Sequence, residues 1–84
     1  MSPEEIKTIL DHTIEAHCQE TGQSFTPMML DANPNLLESG IFDSLAFLQF
    51  IATLEEKLGK EFDMLDEDPE VFTTYQGLLH MISK

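Results

Sequence analysis

In three separate stretches of this chain apolar residues recur at three-and-four spacing, and no stretch shows the apolar–polar alternation of a half-buried strand. That pattern predicts an all-α protein. In the first stretch Ile6, Ile9, Leu10, Thr13, Ile14 and His17 form one stripe, entered through Ser2-Pro3-Glu4-Glu5. Ser2 is the expected N-cap, Pro3 suits the first helical position, and Glu5 closes a capping box. Gly22 supplies the stop, which predicts a helix over 3–21. The second stripe, Phe47, Leu48, Ile51, Leu54 and Leu58, follows Asp43 and ends at Gly59, predicting a helix over 44–58. The third, Tyr75, Leu78, Leu79 and Ile82, is read as starting from a capping box at Thr73-Thr74-Tyr75-Gln76. Between them Asp68-Pro69-Glu70-Val71-Phe72 reads as a short capped helix. The expected architecture is a four-helix bundle with a long first loop and a short third helix, one domain over 1–84.

The long loop, 23–42, is unusual for so small a chain. It is not low-complexity: Phe25, Met28, Met29, Leu30, Leu36, Leu37, Ile41 and Phe42 can anchor it to the core. Thr26-Pro27 and Asn33-Pro34 each resemble an N-cap followed by proline, so one or two short helical turns are expected within it. Gly40 is expected to make the tight turn that brings Asp43 and Ser44 to the surface.

Charge excludes several function classes. Sixteen acids against four lysines, with no arginine, give a formal charge of −12. Nucleic acid and anionic membrane surfaces repel such a chain, whereas cationic patches on partner proteins attract it. Without arginine there is no guanidinium fork to grip a phosphate or carboxylate, which argues against self-contained catalysis. No apolar run is long enough to span a membrane and no signal peptide is read. The lone Cys18 makes no internal disulfide and fits a reducing cytoplasm, as a core or half-buried residue. His12 and His17, five apart, point in different directions on a helix, and His80 has no second ligand three or four residues away, so no metal site is expected. Asp66, Asp68 and Glu70 alternate as in an EF-hand, but the loop lacks the glycine that such a site needs at its sixth position.

The most informative stretch is Glu38-Ser39-Gly40-Ile41-Phe42-Asp43-Ser44-Leu45. Asp43 is a good N-cap, which puts Ser44 at the first helical position with its hydroxyl at the positive end of the dipole. An anion attached there, such as a phosphodiester, would be stabilised by the unpaired N–H groups. Asp-Ser alone reads more readily as a plain helix cap, since such caps occur in most helical proteins. The longer pattern, Leu37 to Leu45 continued by Leu48, Ile51, Leu54-Glu55-Glu56 and Gly59, resembles acyl carrier proteins, and its Ser-Gly-Ile-Phe-Asp-Ser-Leu form is closer to D-alanine carriers and stand-alone biosynthetic carriers.

The resemblance implies an acyl-carrier-like bundle in which Ser44 is esterified with 4′-phosphopantetheine, donated by coenzyme A through a phosphopantetheinyl transferase. A ligase would load acyl or aminoacyl groups on the thiol, and an acyltransferase or synthase would take them off. The protein itself would be a monomeric cytoplasmic carrier, not an enzyme. Asp43 would help the transferase recognise the site, and partners would read Leu45, Ala46, Gln49, Ala52, Glu55 and Glu56. Ala46 and Gln49 depart from the acidic residues frequent at those positions, so recognition is expected to be less electrostatic there. Phe47 and Phe50 are bulky for a core holding a long acyl chain, which favours small cargo. The competing reading is an acidic helical adaptor without a prosthetic group, with Ser44 as a cap or phosphorylation target. An enzyme with Ser44 as nucleophile lacks a base nearby in sequence.

Overall fold

Helix boundaries fall where side chains can take the first-turn N–H groups that have no intrahelical acceptor. In the computed structural model, which describes residues 2–62 and 68–83, Ser2 Oγ accepts from Glu5 N at 3.2 Å and starts α1 (Pro3–Thr21). This helix ends at Gly22, whose φ of 73° is the left-handed conformation expected of a C-capping glycine. A single turn, α2 (Met28–Asp31), lies in the long loop. Then come α3 (Ser44–Leu58), the short α4 (Pro69–Phe72) and α5 (Tyr75–Ile82). The four expected helices are α1, α3, α4 and α5, and α2 is one of the expected loop turns.

Among the described residues there is no strand. Asn35 and Thr74 make one isolated antiparallel bridge, and it anchors the loop. Leu36 N donates to Thr73 O at 2.7 Å, and Tyr75 N donates to Pro34 O at 2.9 Å. Asn35 Oδ1 accepts from Leu37 N and Glu38 N, while its amide donates to Thr73 Oγ1. The loop is thereby tied to the start of α5 through its own backbone, which offsets the entropy of so long a connection.

Apolar faces of α1, α3 and α5 meet over a core that includes Leu10, Ile14, Cys18, Leu54, Leu78 and Ile82, with Leu30, Leu36, Ile41 and Phe42 inserted from the loop. Tyr75 is buried, and its hydroxyl donates to Asp11 Oδ1 at 2.5 Å. Asp11 also pairs with Lys7 at 2.6 Å, so a charged group on α1 satisfies the polar end of an aromatic ring from α5. Beneath the start of α3, four phenylalanine rings pack together. Phe42 stacks on Phe50 with centroids 4.4 Å apart, and Phe47 lies 6.3 Å from Phe72.

Several expectations need correction. On α3, Leu48 is exposed and Phe50 takes its place in the buried stripe. Met28 is exposed instead of anchoring the loop. Thr26-Pro27 opens α2 without a side-chain cap, and Asn33-Pro34 starts no helix. Asn33 instead has a φ of 51°, and its side chain accepts from Gln76 N at 2.8 Å. The N-cap of α5 is Thr74, which accepts from Gly77 N, while Thr73 closes α4 and donates to Pro69 O. The proposed box beginning at Thr73 is therefore displaced by one residue, because α4 and α5 adjoin so closely that Thr73 is used by the first. On α5, Met81 is buried and Leu79 only partly so. Of the acidic run, Asp63, Asp66 and Glu67 lie outside the described residues, as does part of the rejected EF-hand loop.

Candidate functional site

Asp43 has an extended backbone, φ −84° and ψ 175°, and its Oδ1 accepts from Ala46 N at 2.7 Å. Its carbonyl takes the next N–H, from Phe47, at 2.8 Å. Ser44 follows as the first residue of α3 and is exposed. At this end of the helix the N–H groups of Ser44 and Leu45 have no intrahelical acceptor and the dipole is positive. A fifteen-residue helix thus presents a hydroxyl next to outward N–H groups. The chemistry suits a phosphodiester on that hydroxyl: the anion meets donors and a positive dipole, with no arginine needed.

The segment leading to the site is fixed on both sides. Gly40, with φ 83°, makes the turn that reverses the chain after Leu37. Phe42 N donates to Leu36 O at 3.0 Å. Ile41 and Phe42 are buried, so they act as the anchor directly ahead of the exposed pair Asp43-Ser44. On the other side the Ile41 carbonyl meets His17 Nε2 at 2.8 Å and Gln23 Nε2 at 3.0 Å. From the sequence, His17 is placed on the apolar stripe of the first helix, with no role at the site. Its partner lies 24 residues away, and no local pattern announces such a pair.

The expected recognition residues do not share one face. Leu45, Ala52 and Glu56 are exposed. Leu45 is 67% exposed and Leu48, 59% exposed, extends the same apolar strip although it was expected in the core. Leu48 lies one turn beyond Ser44, on its side of the helix. Gln49, also exposed, and the half-buried Ala46 border a groove of about 390 Å³ between α1 and α3. Thr13 and Lys57 also line that groove and are joined by a 3.2 Å hydrogen bond. Glu55 is half-buried, and its Oε2 accepts from Phe62 N at 2.9 Å, which ties down the chain after α3.

Cys18 is fully buried, and burial pushes its thiol pKa up, so it is held as an unreactive thiol. Among the described residues no cluster of three or more His, Cys, Asp or Glu side chains could hold a metal, and no helix is long and apolar enough to cross a membrane.

The structure is a small helical bundle whose longest loop delivers a capped, exposed serine to a helix N-terminus. The family model for the phosphopantetheine attachment site matches residues 18–78, and the chain belongs to that family. It is a phosphopantetheine carrier, and its prosthetic group is 4′-phosphopantetheine. No curated protein and no solved structure gives a significant match to the chain.

Proposed function

We propose that the chain is a single-domain, monomeric, cytoplasmic acyl or aminoacyl carrier with Ser44 as the attachment residue and no catalysis of its own. The observation that supports this most directly is the exposed Ser44 hydroxyl at the first position of α3, behind an Asp43 cap and inside the matched region. During modification the Ser44 hydroxyl attacks the phosphorus that bears the pantetheine arm of coenzyme A. The pyrophosphate P–O bond breaks, adenosine 3′,5′-bisphosphate leaves, and the serine proton passes to a base on the Mg²⁺-dependent transferase. When attached, the group supplies a terminal thiol that holds cargo as a thioester. Asp43 holds the first turn so that Ser44 and the free N–H groups keep one orientation.

Partner enzymes, namely the transferase, a loading ligase and a downstream acyltransferase or synthase, would dock on the outer face of α3. Leu45 and Ala52 provide apolar contact there, Glu56 the charge, and Ala46 and Gln49 the edge facing α1. Glu55 contributes through the placement of residues after the helix. Leu48 joins this set on the strength of its exposure. The packed rings of Phe42, Phe47, Phe50 and Phe72 favour small cargo held outside the core. Incubation with coenzyme A and a permissive transferase, followed by intact mass, tests the reading. A gain of one phosphopantetheine is expected; no gain would favour an acidic adaptor without the group.

A further inference from the structure

The Ile41 carbonyl, three residues ahead of Ser44, accepts two side-chain hydrogen bonds, one from the last turns of α1 and one from the segment just after it. One comes from His17 Nε2 at 2.8 Å and the other from Gln23 Nε2 at 3.0 Å. A carbonyl oxygen only accepts, so His17 Nε2 must carry a proton, and both lone pairs of the oxygen are used. The same imidazole stacks on the next residue, Phe42, with ring centroids 4.1 Å apart and planes 19° from parallel. Gln23 is itself braced, since its amide also donates to Thr21 Oγ1 at 2.8 Å, and that hydroxyl donates to the His17 carbonyl at 3.0 Å. The last two residues before the N-cap are therefore gripped by α1 and the turn that follows it, one through its carbonyl and the other through its ring.

We propose that His17 and Gln23 are positioning residues for the modification of Ser44, clasping Ile41 and Phe42 so that Asp43 and Ser44 stay in the conformation a transferase engages. The proposal rests on Ser44 being the attachment residue. Without the clasp, the Ile41 carbonyl loses its side-chain donors and the backbone into Asp43 samples other orientations. Only the fraction of molecules in the competent arrangement then binds productively, so apparent affinity falls by that fraction while the bound complex reacts as before. Two net hydrogen bonds bias the local equilibrium by about 5- to 150-fold, and the part of that shift that empties the competent arrangement, about 3- to 10-fold, appears in the apparent affinity.

The test is transferase kinetics on the intact apo-protein with coenzyme A, alongside amide hydrogen exchange at Phe42 and Ala46. His17→Phe keeps a ring over Phe42 and removes the donor, and Gln23→Ala removes the second. The double variant is expected to raise KM for the carrier about 3- to 10-fold with kcat unchanged, and to speed exchange at Phe42 and Ala46 while α1 and α5 exchange as in the wild type. His17→Gln, which restores an amide donor in the Gln23→Ala background, is expected to recover part of the KM. Should the double variant fold poorly, Gln23→Ala alone, at a half-exposed position, carries the same expectation at smaller amplitude. If the wild type gains mass but the variants keep its KM, the positioning role is overturned and the carrier reading stands. A wild type that gains no mass overturns the carrier reading and this role together.

Discussion

Asp43 has two duties in one side chain, since its carboxylate takes Ala46 N and its extended backbone sets the direction of Ser44. Replacing it with alanine removes the capping acceptor. Asp43→Ala is expected to destabilise the fold by about 1 kcal/mol, measured by urea denaturation, and to slow phosphopantetheine transfer at a temperature where the variant is still folded. Loss of stability with a wild-type transfer rate would restrict Asp43 to the first duty. Asp43, Ser44 and the cap were readable from sequence because capping is local: donor and acceptor lie three residues apart. The clasp on Ile41 was not readable, because it pairs His17 and Gln23 with a backbone oxygen whose position depends on the folding of the whole loop.

At the scale of elements, α4 and α5 meet at Gly77. A methyl group there would collide with the Val71 carbonyl oxygen and crowd Thr74 Oγ1, so the two helices can adjoin in this way only with hydrogen at this position. Helix propensity alone would make Gly77→Ala stabilising by roughly 0.5–1 kcal/mol. The contact with Val71 reverses the sign, and a loss of about 1–3 kcal/mol is expected from overpacking. Thermal and urea unfolding of the variant check it, and a raised Tm would contradict the packing described. The helices themselves were legible in outline because each carries a stripe and a stop. Which residues of α3 point inward was less so. Leu45, Ala46, Phe47, Leu48, Phe50, Ile51 and Ala52 are apolar nearly all the way round, so periodicity could not decide between Leu48 and Phe50. The loop decides: Phe42, brought in between α1 and α3, stacks on Phe50 and leaves Leu48 in solvent. Thr73 and Thr74 show the same limit, since two adjacent threonines can each cap and only the junction of α4 with α5 assigns them.

Across the whole molecule, a formal charge of −12 on 84 residues opposes the compact state. Eight acids fall between positions 55 and 70, against Lys57 and Lys60. Salt screens such charges over about 8–10 Å. Added NaCl is therefore expected to raise the Tm of the apo-protein, with millimolar Mg²⁺ or Ca²⁺ raising it further, while the same salt weakens transferase binding by screening complementary charge. Melts and binding titrations over one salt series check both signs. A Tm that falls with salt, or an affinity that ignores it, would contradict this role for the acidic surface. The alkaline limb has a separate origin. Burial, and next the hydrogen bond to Asp11, push the Tyr75 phenol from its ordinary 10.0 up to about 12. The folded state thus holds that proton more tightly than the unfolded chain. The stability from Tyr75 is complete below about pH 10 and is lost as pH rises toward 12. Burial of Cys18 acts in the same direction from a lower starting value. Urea midpoints from pH 9 to 12 should fall, and Tyr75→Phe should flatten the upper part of that fall.

The central claim, that Ser44 is where the prosthetic group is carried, is tested most directly by intact mass of the wild type and of Ser44→Ala after incubation with coenzyme A and a permissive transferase. One exposed first-turn hydroxyl contributes little to the fold while Asp43 remains the cap, so both chains should have the same helicity and nearly the same Tm. The wild type should gain the mass of one phosphopantetheine, and Ser44→Ala should gain none. A transferase-dependent gain that survives in Ser44→Ala would contradict the assignment.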